Sequence, residues 1–277
     1  MKVLVDADIL AVRVAASCEH KITEEEAAFD GREAGEIDIF PIEEAYHRME
    51  NLVIQISQAT GLNDPKEAAY FLRSLNGNFR KDIYSDYKAN RTTPKPQYTV
   101  PLEEYLIQNY GAMRADHQEA DDDLGIAATT CWEADEKAVI VSIDKDLKQI
   151  PGMHYNFVKD IWDEVDEAEG KYQFYTQLLM GDSTDNIKGC PKIGPKTAEK
   201  ILRPYYNESF HMEKAIFDTY QKAYPNQCDD EVWEIVVLVG RLVYIRRHVG
   251  ELWEPLYRGY YEKVTHGTIP YEFGTHL

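Results

Sequence analysis

Residues 2–10, KVLVDADIL, place an unbroken apolar run directly ahead of two aspartates, Asp6 and Asp8. A run this short reads as a buried parallel strand, because a strand covered on both faces has no reason to alternate apolar with polar residues. Residues 137–147, KAVIVSIDKDL, repeat the pattern: a strand expected from Ala138 to Ile143 delivers Asp144 and Asp146. Between the two, residues 43–61 carry helical apolar spacing with Gly61 as the stop, and EAAYFLRSL (67–75) reads as a second strand. EADDDLGIAATTCWEA (119–134) reads as a helix with Glu119, Asp121, Asp122 and Asp123 in its first turn, where the helix dipole favours acids. Alternating strands and helices imply an α/β fold with a parallel sheet, in which ligands bind beyond the carboxyl ends of the strands. Two strands ending in Asp-x-Asp therefore aim four carboxylates at the place where a site is expected.

From about residue 170 the pattern turns helical, through KYQFYTQLLMG (171–181), KTAEKILRPYY (196–206), SFHMEKAIFDTYQKAY (209–224) and DDEVWEIVVLVGRLVYIRRH (229–248). The last is apolar almost all round and predicts a buried core helix, with Arg246, Arg247 and His248 suited to its C-terminus. Trp253, Tyr257, Tyr260 and Tyr261 are expected to pack. The implied division is an α/β domain over 1–170 and a helical region over 171–277.

The chain of 277 residues carries a formal net charge of −19, which argues against a phosphate-rich partner unless the acids are gathered to hold cations. The acid-rich stretches 19–45 and 160–170 read as solvated faces and loops. Cys18, Cys131, Cys190 and Cys228 lie far apart with no C-x-x-C pair, which fits reduced thiols and not a disulfide frame or zinc site. No apolar run reaches bilayer length and MKVLVDADIL shows no cleavable leader, so a soluble cytoplasmic protein is expected.

MGDSTDNIKGCPKIGPKTAEKIL (180–202) joins two aspartates to a glycine- and lysine-rich turn. As a nucleotide loop it fails: Gly189 and Gly194 have the Walker spacing, but Pro195 stands before Lys196 and removes a donor, and a helix precedes it where a strand is needed. As a haloacid dehalogenase-like phosphohydrolase it leaves EADDD, the second Asp-x-Asp and KIGPK without a role. A two-metal phosphodiesterase uses all of them. Hard divalent cations take carboxylate oxygens, and Asp6, Asp8, Glu119, Asp121, Asp122, Asp144, Asp146, Asp182 and Asp185 supply them. The lysine turn would then hold nucleic-acid phosphates through backbone N–H groups and side chains.

VDADIL, NFRKDIYSDYKANR, EADDD, VSIDKDL and GDSTDNIKGCPKIGPKTA together resemble the 5′-nuclease family, most closely its phage 5′→3′ exonucleases, over most of the chain. The resemblance implies a parallel-sheet, PIN-like nuclease domain followed by a helix–three-turn–helix at about 178–203. It implies hydrolysis of DNA phosphodiesters at 5′ ends, nicks or flaps, and of RNA in RNA–DNA hybrids as a further expectation, in phage-type DNA replication or degradation. It also implies two Mg²⁺ or Mn²⁺ ions, a K⁺ at the helix–three-turn–helix, action as a monomer and no membrane partner. Asp6, Glu119, Asp121, Asp144 and Asp146 take the role of metal acids, Asp182 and Asp185 that of the further pair, and Asp122 stands one layer out. Lys88 and Arg91 of YKANR match the basic residues that face the scissile phosphate. Arg80, Lys192, Gly194, Lys196 and Thr197 match DNA contacts, with Lys192 evenly balanced between that role and an exposed lysine. For Asp8 and Asp123, capping or surface roles stand level with metal binding.

Two departures matter. The family places another acid after the second strand, whereas Arg73 to Phe79 contains none. That leaves Asn76, Asn78 or Asp8 as substitutes, and leaves open a branched-DNA binder without catalysis. The family's arch would fall at about 80–118, where the prolines of TTPKPQYTVP (92–101) oppose a long helix; a short, mobile loop that accepts a 5′ end is expected there.

Overall fold

The protein is described by a computed structural model over residues 1–265. It forms two compact units: Met1–Phe79 with Thr92–Val165 and Arg247–Val249, and Arg80–Arg91 with Asp166–Arg246 and the chain from Gly250 onward. The break near Asp166 lies close to the expected 170, but the segment Arg80–Arg91 belongs to the second unit. Residues 266–277 of the expected helical region lie outside the described residues.

In the first unit the elements in chain order are β1 (Lys2–Asp6), α1 (Ala7–Ser17), β2 (Glu19–Lys21), α2 (Glu24–Asp30), β3 (Ile37–Ile39), α3 (Ile42–Thr60) and β4 (Ala69–Leu72). A short helix, α4 (Phe79–Ile83), carries the chain out of the unit. Then come α5 (Thr99–Tyr110), β5 (Met113–Arg114), α6 (Ala120–Glu133), β6 (Ala138–Val141), β7 (Gly152–Asn156) and β8 (Ile161–Val165). The six-stranded sheet has the order β5-β4-β1-β6-β7-β8, parallel except for the antiparallel β7–β8 hairpin. Val3, Val5, Val139 and Val141 join one core cluster with Leu10, Met49, Val53, Leu102 and Leu106 of α1, α3 and α5. Leu4 and Ile140, also buried, alternate away from that cluster, and α6 packs on β1, β4 and β6. Burial on both faces is why these strands are continuous apolar runs. α3 ends where expected, with Gly61 at φ 74 closing it in the left-handed region.

Four expectations are corrected. The strand of KAVIVSIDKDL stops at Val141, so Ser142 and Ile143 already belong to the loop carrying Asp144. The acid-rich stretches, read as solvated faces and loops, are largely exposed but carry regular elements: 19–45 holds the β2–β3 hairpin and α2, where Thr23 and Glu26 form a capping box, and 160–170 holds β8. The arch cannot extend to 118. Residues 99–110 form α5, whose Leu102 and Leu106 are fully buried in the core. Pro101 sits in the first turn of α5, where its missing N–H costs nothing, and Pro94 and Pro96 lie in the non-helical chain before it. Finally, Arg246, Arg247 and His248 lie beyond the helix they were expected to end, which stops at Val243. Within the first unit Arg247 donates to the Gln149 carbonyl and His248 pairs with Glu133.

The second unit contains α7 (Glu167–Met180), β9 (Gly181–Asp182), β10 (Ile187–Lys188), α8 (Pro195–Leu202), α9 (Ser209–Ala223), α10 (Asp229–Val243) and α11 (Leu256–Thr265). Its core joins Phe174, Leu178, Ile216, Phe217, Trp233 and Val236 with the expected packing residues Trp253 and Tyr257, and Tyr260 and Tyr261 lie against it. β9 and β10 pair antiparallel between α7 and α8. That crossing demands glycine: a Cβ on Gly189 would stand 2.2 Å from the Met180 carbonyl carbon, and one on Gly181 would stand 2.3 Å from the Gly189 nitrogen.

Candidate active site

The acids of the first unit gather along the carboxyl edge of its sheet. Asp6 ends β1 and caps α1, accepting the Ile9 N–H at 3.3 Å. Its other oxygen accepts the Ser142 hydroxyl at 2.8 Å, and Ser142 in turn accepts the Asp144 N–H at 3.0 Å. Asp144 accepts the Asp146 N–H at 2.8 Å, so one chain of hydrogen bonds runs from the end of β1 through the loop after β6. Ser142 was not singled out from the sequence; its spacing two residues ahead of Asp144 is the signal that marks a side chain capping its own loop.

Asp8 lies in the first turn of α1 and accepts the Arg73 N–H at 3.2 Å, which brings its carboxylate to the end of β4. Its second oxygen is buried without a hydrogen-bond partner. The loop after β4 is tied to the start of α6: Ser74 N–H donates to the Gln118 carbonyl at 3.3 Å and His117 N–H to the Ser74 hydroxyl at 3.1 Å. Glu119 is therefore the N-cap of α6, one position outside the first turn, and its N–H donates to fully buried Asp122 at 3.1 Å. Asp122 thus shapes the start of α6. Asp123 accepts from Gln118, which suits the capping alternative.

Burial pushes the Asp6 carboxyl up to about 7, with the Ser142 hydrogen bond opposing and the charges of Asp8 and Asp144 adding to the rise. Burial also raises Asp8, against the pull of Lys95 and Arg73. Carboxylates repelling one another at a partly buried edge are the condition that a divalent cation relieves, and an all-oxygen donor set suits a hard ion. The edge is open, however: among the described residues no three acidic, His or Cys side chains stand together as a ready cation cage.

In the second unit Asp182 ends β9 and accepts the Thr184 N–H at 2.7 Å. Asp185 is the hub of a polar cluster. It accepts the Tyr87 hydroxyl at 3.1 Å, lies 3.4 Å from the Lys88 ammonium and pairs with the Arg91 guanidinium. The backbone of Lys88 donates to the Asp185 carbonyl at 2.9 Å, Asn90 to Ser183 and Asn186 to Asp86. The YKANR segment is thus laced to the GDSTDN turn as one piece, with Lys88 at φ 57 and Asn186 at φ 59. Tyr87, at 2% exposure, opens the YKANR motif but was given no role there, because its partner lies almost a hundred positions away.

Gly194 is the N-cap of α8, and its carbonyl accepts the Thr197 and Ala198 N–H groups. Lys192, Lys196 and Thr197 are exposed around it. Arg80 is not: expected to contact DNA, it is 3% exposed and donates to the carbonyls of Leu242 at 2.9 Å and Tyr244 at 2.6 Å. It closes the end of α10, where a guanidinium meets carbonyls that no helical N–H can reach.

The first unit is thus an α/β domain whose largely parallel sheet carries carboxylates at its edge, and the second is a helical unit with a lysine-rich turn at a helix start. The chain belongs to the 5′-3′ exonuclease family: residues 3–176 match that family's N-terminal, resolvase-like domain. Over 150 residues it is 35% identical to DNA polymerase I of Rhizobium leguminosarum, which covers 50% of this chain and 15% of the polymerase. The chain spans less than two thirds of the curated relatives it matches, among them 5′-3′ exonucleases and a flap endonuclease of Shewanella halifaxensis. Its fold is that of T5 5′-exonuclease with bound zinc ions (TM-score 0.61, 16% identity, 87% of this chain and 88% of that one). It is also that of the bacteriophage T5 flap endonuclease in a pseudo-enzyme–product complex with DNA and metal ions (TM-score 0.56, 13% identity, 86% and 98%). Family membership sets aside the haloacid dehalogenase-like reading, which left α6 and the KIGPK turn without a role.

Proposed function

We propose that this chain is a divalent-metal-dependent 5′ nuclease that hydrolyses DNA phosphodiesters at 5′ ends and flaps, leaving a 5′-phosphate and a 3′-hydroxyl. The observation that carries it is the hydrogen-bonded run Asp6–Ser142–Asp144–Asp146 along one sheet edge, in a chain of this family. Asp6, Glu119, Asp121, Asp144 and Asp146 would hold metal, with Asp182 and Asp185 as the further acids, and Mg²⁺ or Mn²⁺ as the pair of ions. Such ions supply an activated water and neutralise charge on the attacking and leaving oxygens. Lys88 and Arg91 would stabilise charge on the phosphate being cut, which requires them to leave or share Asp185, their present partner. Lys192, Lys196, Thr197 and the Gly194 turn would grip the duplex backbone, with K⁺ at that turn. RNA–DNA hybrids as substrates, monomeric action and a cytoplasmic setting belong to the same reading. No helix among the described residues is long and apolar enough to cross a membrane.

The loop Arg73–Phe79 still lacks an acid, and Asp8, whose carboxylate reaches the end of β4, is the substitute this geometry favours. The test is a 5′-flap duplex and a blunt duplex, labelled at both ends, with Mg²⁺, with Mn²⁺ and with EDTA. Metal-dependent release of the 5′ label as short products is expected. Tight flap binding without cutting in either metal would refute the catalytic reading and identify a structure-specific DNA binder.

A further inference from the structure

The β7–β8 hairpin carries a second feature beside the acid edge. Its register pairs His154 with Asp163 and Asn156 with Ile161, so strand alternation puts these four on one face. Tyr155 and Trp162 take the other, stacked with ring centroids 4.8 Å apart. A cleft of about 240 Å³ lies between the first face and the loop leaving β6, lined there by Ser142, Asp144, Lys145 and Lys148 and at the hairpin turn by Lys159. That is room for several waters, and so for a group of the size of a phosphate.

Three lysines converging on one cleft run against the charge of a chain with 49 acids and 30 basic residues. They are not equivalent. Lys148 is paired with Asp163 on the hairpin. Lys145 reaches only to 3.8 Å from an Asp146 oxygen, and its side chain is 81% exposed. Lys159 is exposed and has no ion pair among the described residues. Its position is fixed all the same: the Asn156 side-chain oxygen accepts the N–H groups of Val158 and Lys159 at 3.1 and 3.0 Å, holding the turn and leaving the Asn156 amide nitrogen to donate. His154 donates Nε2–H to the Ile150 carbonyl at 2.8 Å and contributes no charge when neutral, the form its burial favours. The cations offered to a ligand are therefore Lys145 and Lys159. Asp144 forms part of the same wall, so an anion seated between those lysines adjoins the carboxylate edge.

We propose that this cleft is an anion subsite that seats a backbone phosphate of the nucleic-acid strand next to the acid edge, with Lys145 and Lys159 as its cations. The strand as ligand rests on the nuclease reading; the anion site rests on the cleft. The ammonium groups act as point charges on a phosphate, which suits a contact that positions the strand without reading its sequence.

The variant is K145Q/K159Q, two exposed positions whose replacement is expected to leave the melting temperature of the full chain unchanged. Flap-duplex affinity is measured across a NaCl series in Ca²⁺ with EDTA controls, using substrates bearing a 5′-phosphate or a 5′-hydroxyl. Each lost phosphate contact removes about 0.7–0.9 from the slope of log K against log salt. The double variant is expected to lose a slope of about 1 and to bind severalfold more weakly at low salt. Loss of discrimination between the two 5′ ends would assign the subsite to the terminal phosphate; equal weakening of both would assign it to an internal phosphodiester. A slope and affinity equal to those of the unaltered protein would overturn the proposal. In parallel, inorganic phosphate is titrated against both proteins, with the His154 ring signals observed by NMR. If the unaltered protein bound no DNA, the nuclease reading would fall. The phosphate titration would then decide the subsite: a saturable shift lost in the double variant supports it, and no shift in either protein refutes it.

Discussion

Replacing Arg80 by alanine separates a residue that contacts DNA from one that holds the second unit together. The side chain is 3% exposed, and its Nε and one terminal nitrogen donate to the Leu242 and Tyr244 carbonyls at 2.9 and 2.6 Å. Both acceptors lie at the end of α10, where the last carbonyls have no helical donor. Each hydrogen bond from a charged donor contributes about 1.5–3 kcal/mol, so losing these two while leaving the carbonyls buried should cost about 3–5 kcal/mol. For a chain of this size that lowers Tm on the order of 10 °C. The R80K variant keeps the charge but not the two-armed geometry and should fall between. Thermal unfolding followed by circular dichroism gives the stability. Flap-DNA affinity measured well below the variant's Tm gives the second readout, and it should stay within about twofold at a fixed salt concentration. A Tm within about 2 °C of the unaltered protein, together with clearly weakened DNA binding, would refute this reasoning.

Two further perturbations probe the second unit. The G189A variant places a Cβ 2.2 Å from the Met180 carbonyl carbon, where only backbone could yield; a loss of about 3 kcal/mol in denaturant unfolding is expected, and an unchanged midpoint would show that the β9–β10 crossing relaxes freely. Glu213, 2% exposed, accepts from the Tyr175 hydroxyl and the Tyr257 N–H, each at 2.7 Å, yet burial still holds its carboxyl above the ordinary 4.5. The folded state thus keeps this proton to higher pH than the unfolded chain, so stability should fall as pH rises from about 4.5 through the raised value. The E213Q variant should flatten that slope in pH-dependent unfolding, and an identical slope would assign it to another group.

Much of the site was legible because its signals are local. KVLVDADIL and KAVIVSIDKDL declare buried strands by lacking polar alternation, and whatever follows such strands in an α/β sheet must emerge at the carboxyl edge. The acids of EADDD announce a helix start for the same short-range reason, since their partners lie within one turn. The helix opening at Gly194 and Pro195 was legible in the same local way, whereas a role for Lys192, Lys196 and Thr197 came only from the family resemblance.

Where the partner lies far along the chain, residue type alone misled or stayed silent. Arg80 looked like a phosphate contact until the end of α10 supplied its carbonyls, more than 160 positions away. The prolines of TTPKPQYTVP looked like a broken arch until α5 buried Leu102 and Leu106 against α1 and α3. Lys88 and Arg91 carried a recognisable motif, but only the fold pairs them with Asp185. The lysine cleft has no motif at all, because Lys145, Lys148 and Lys159 converge through the pairing of β6, β7 and β8. Sequence alone marked the two acid-bearing strands, the longer helices and the edge where acids emerge, since periodicity and capping act over a few residues. Tertiary structure decided which charges are buried, paired or left facing solvent, since that depends on acceptors brought together only when the chain closes on itself.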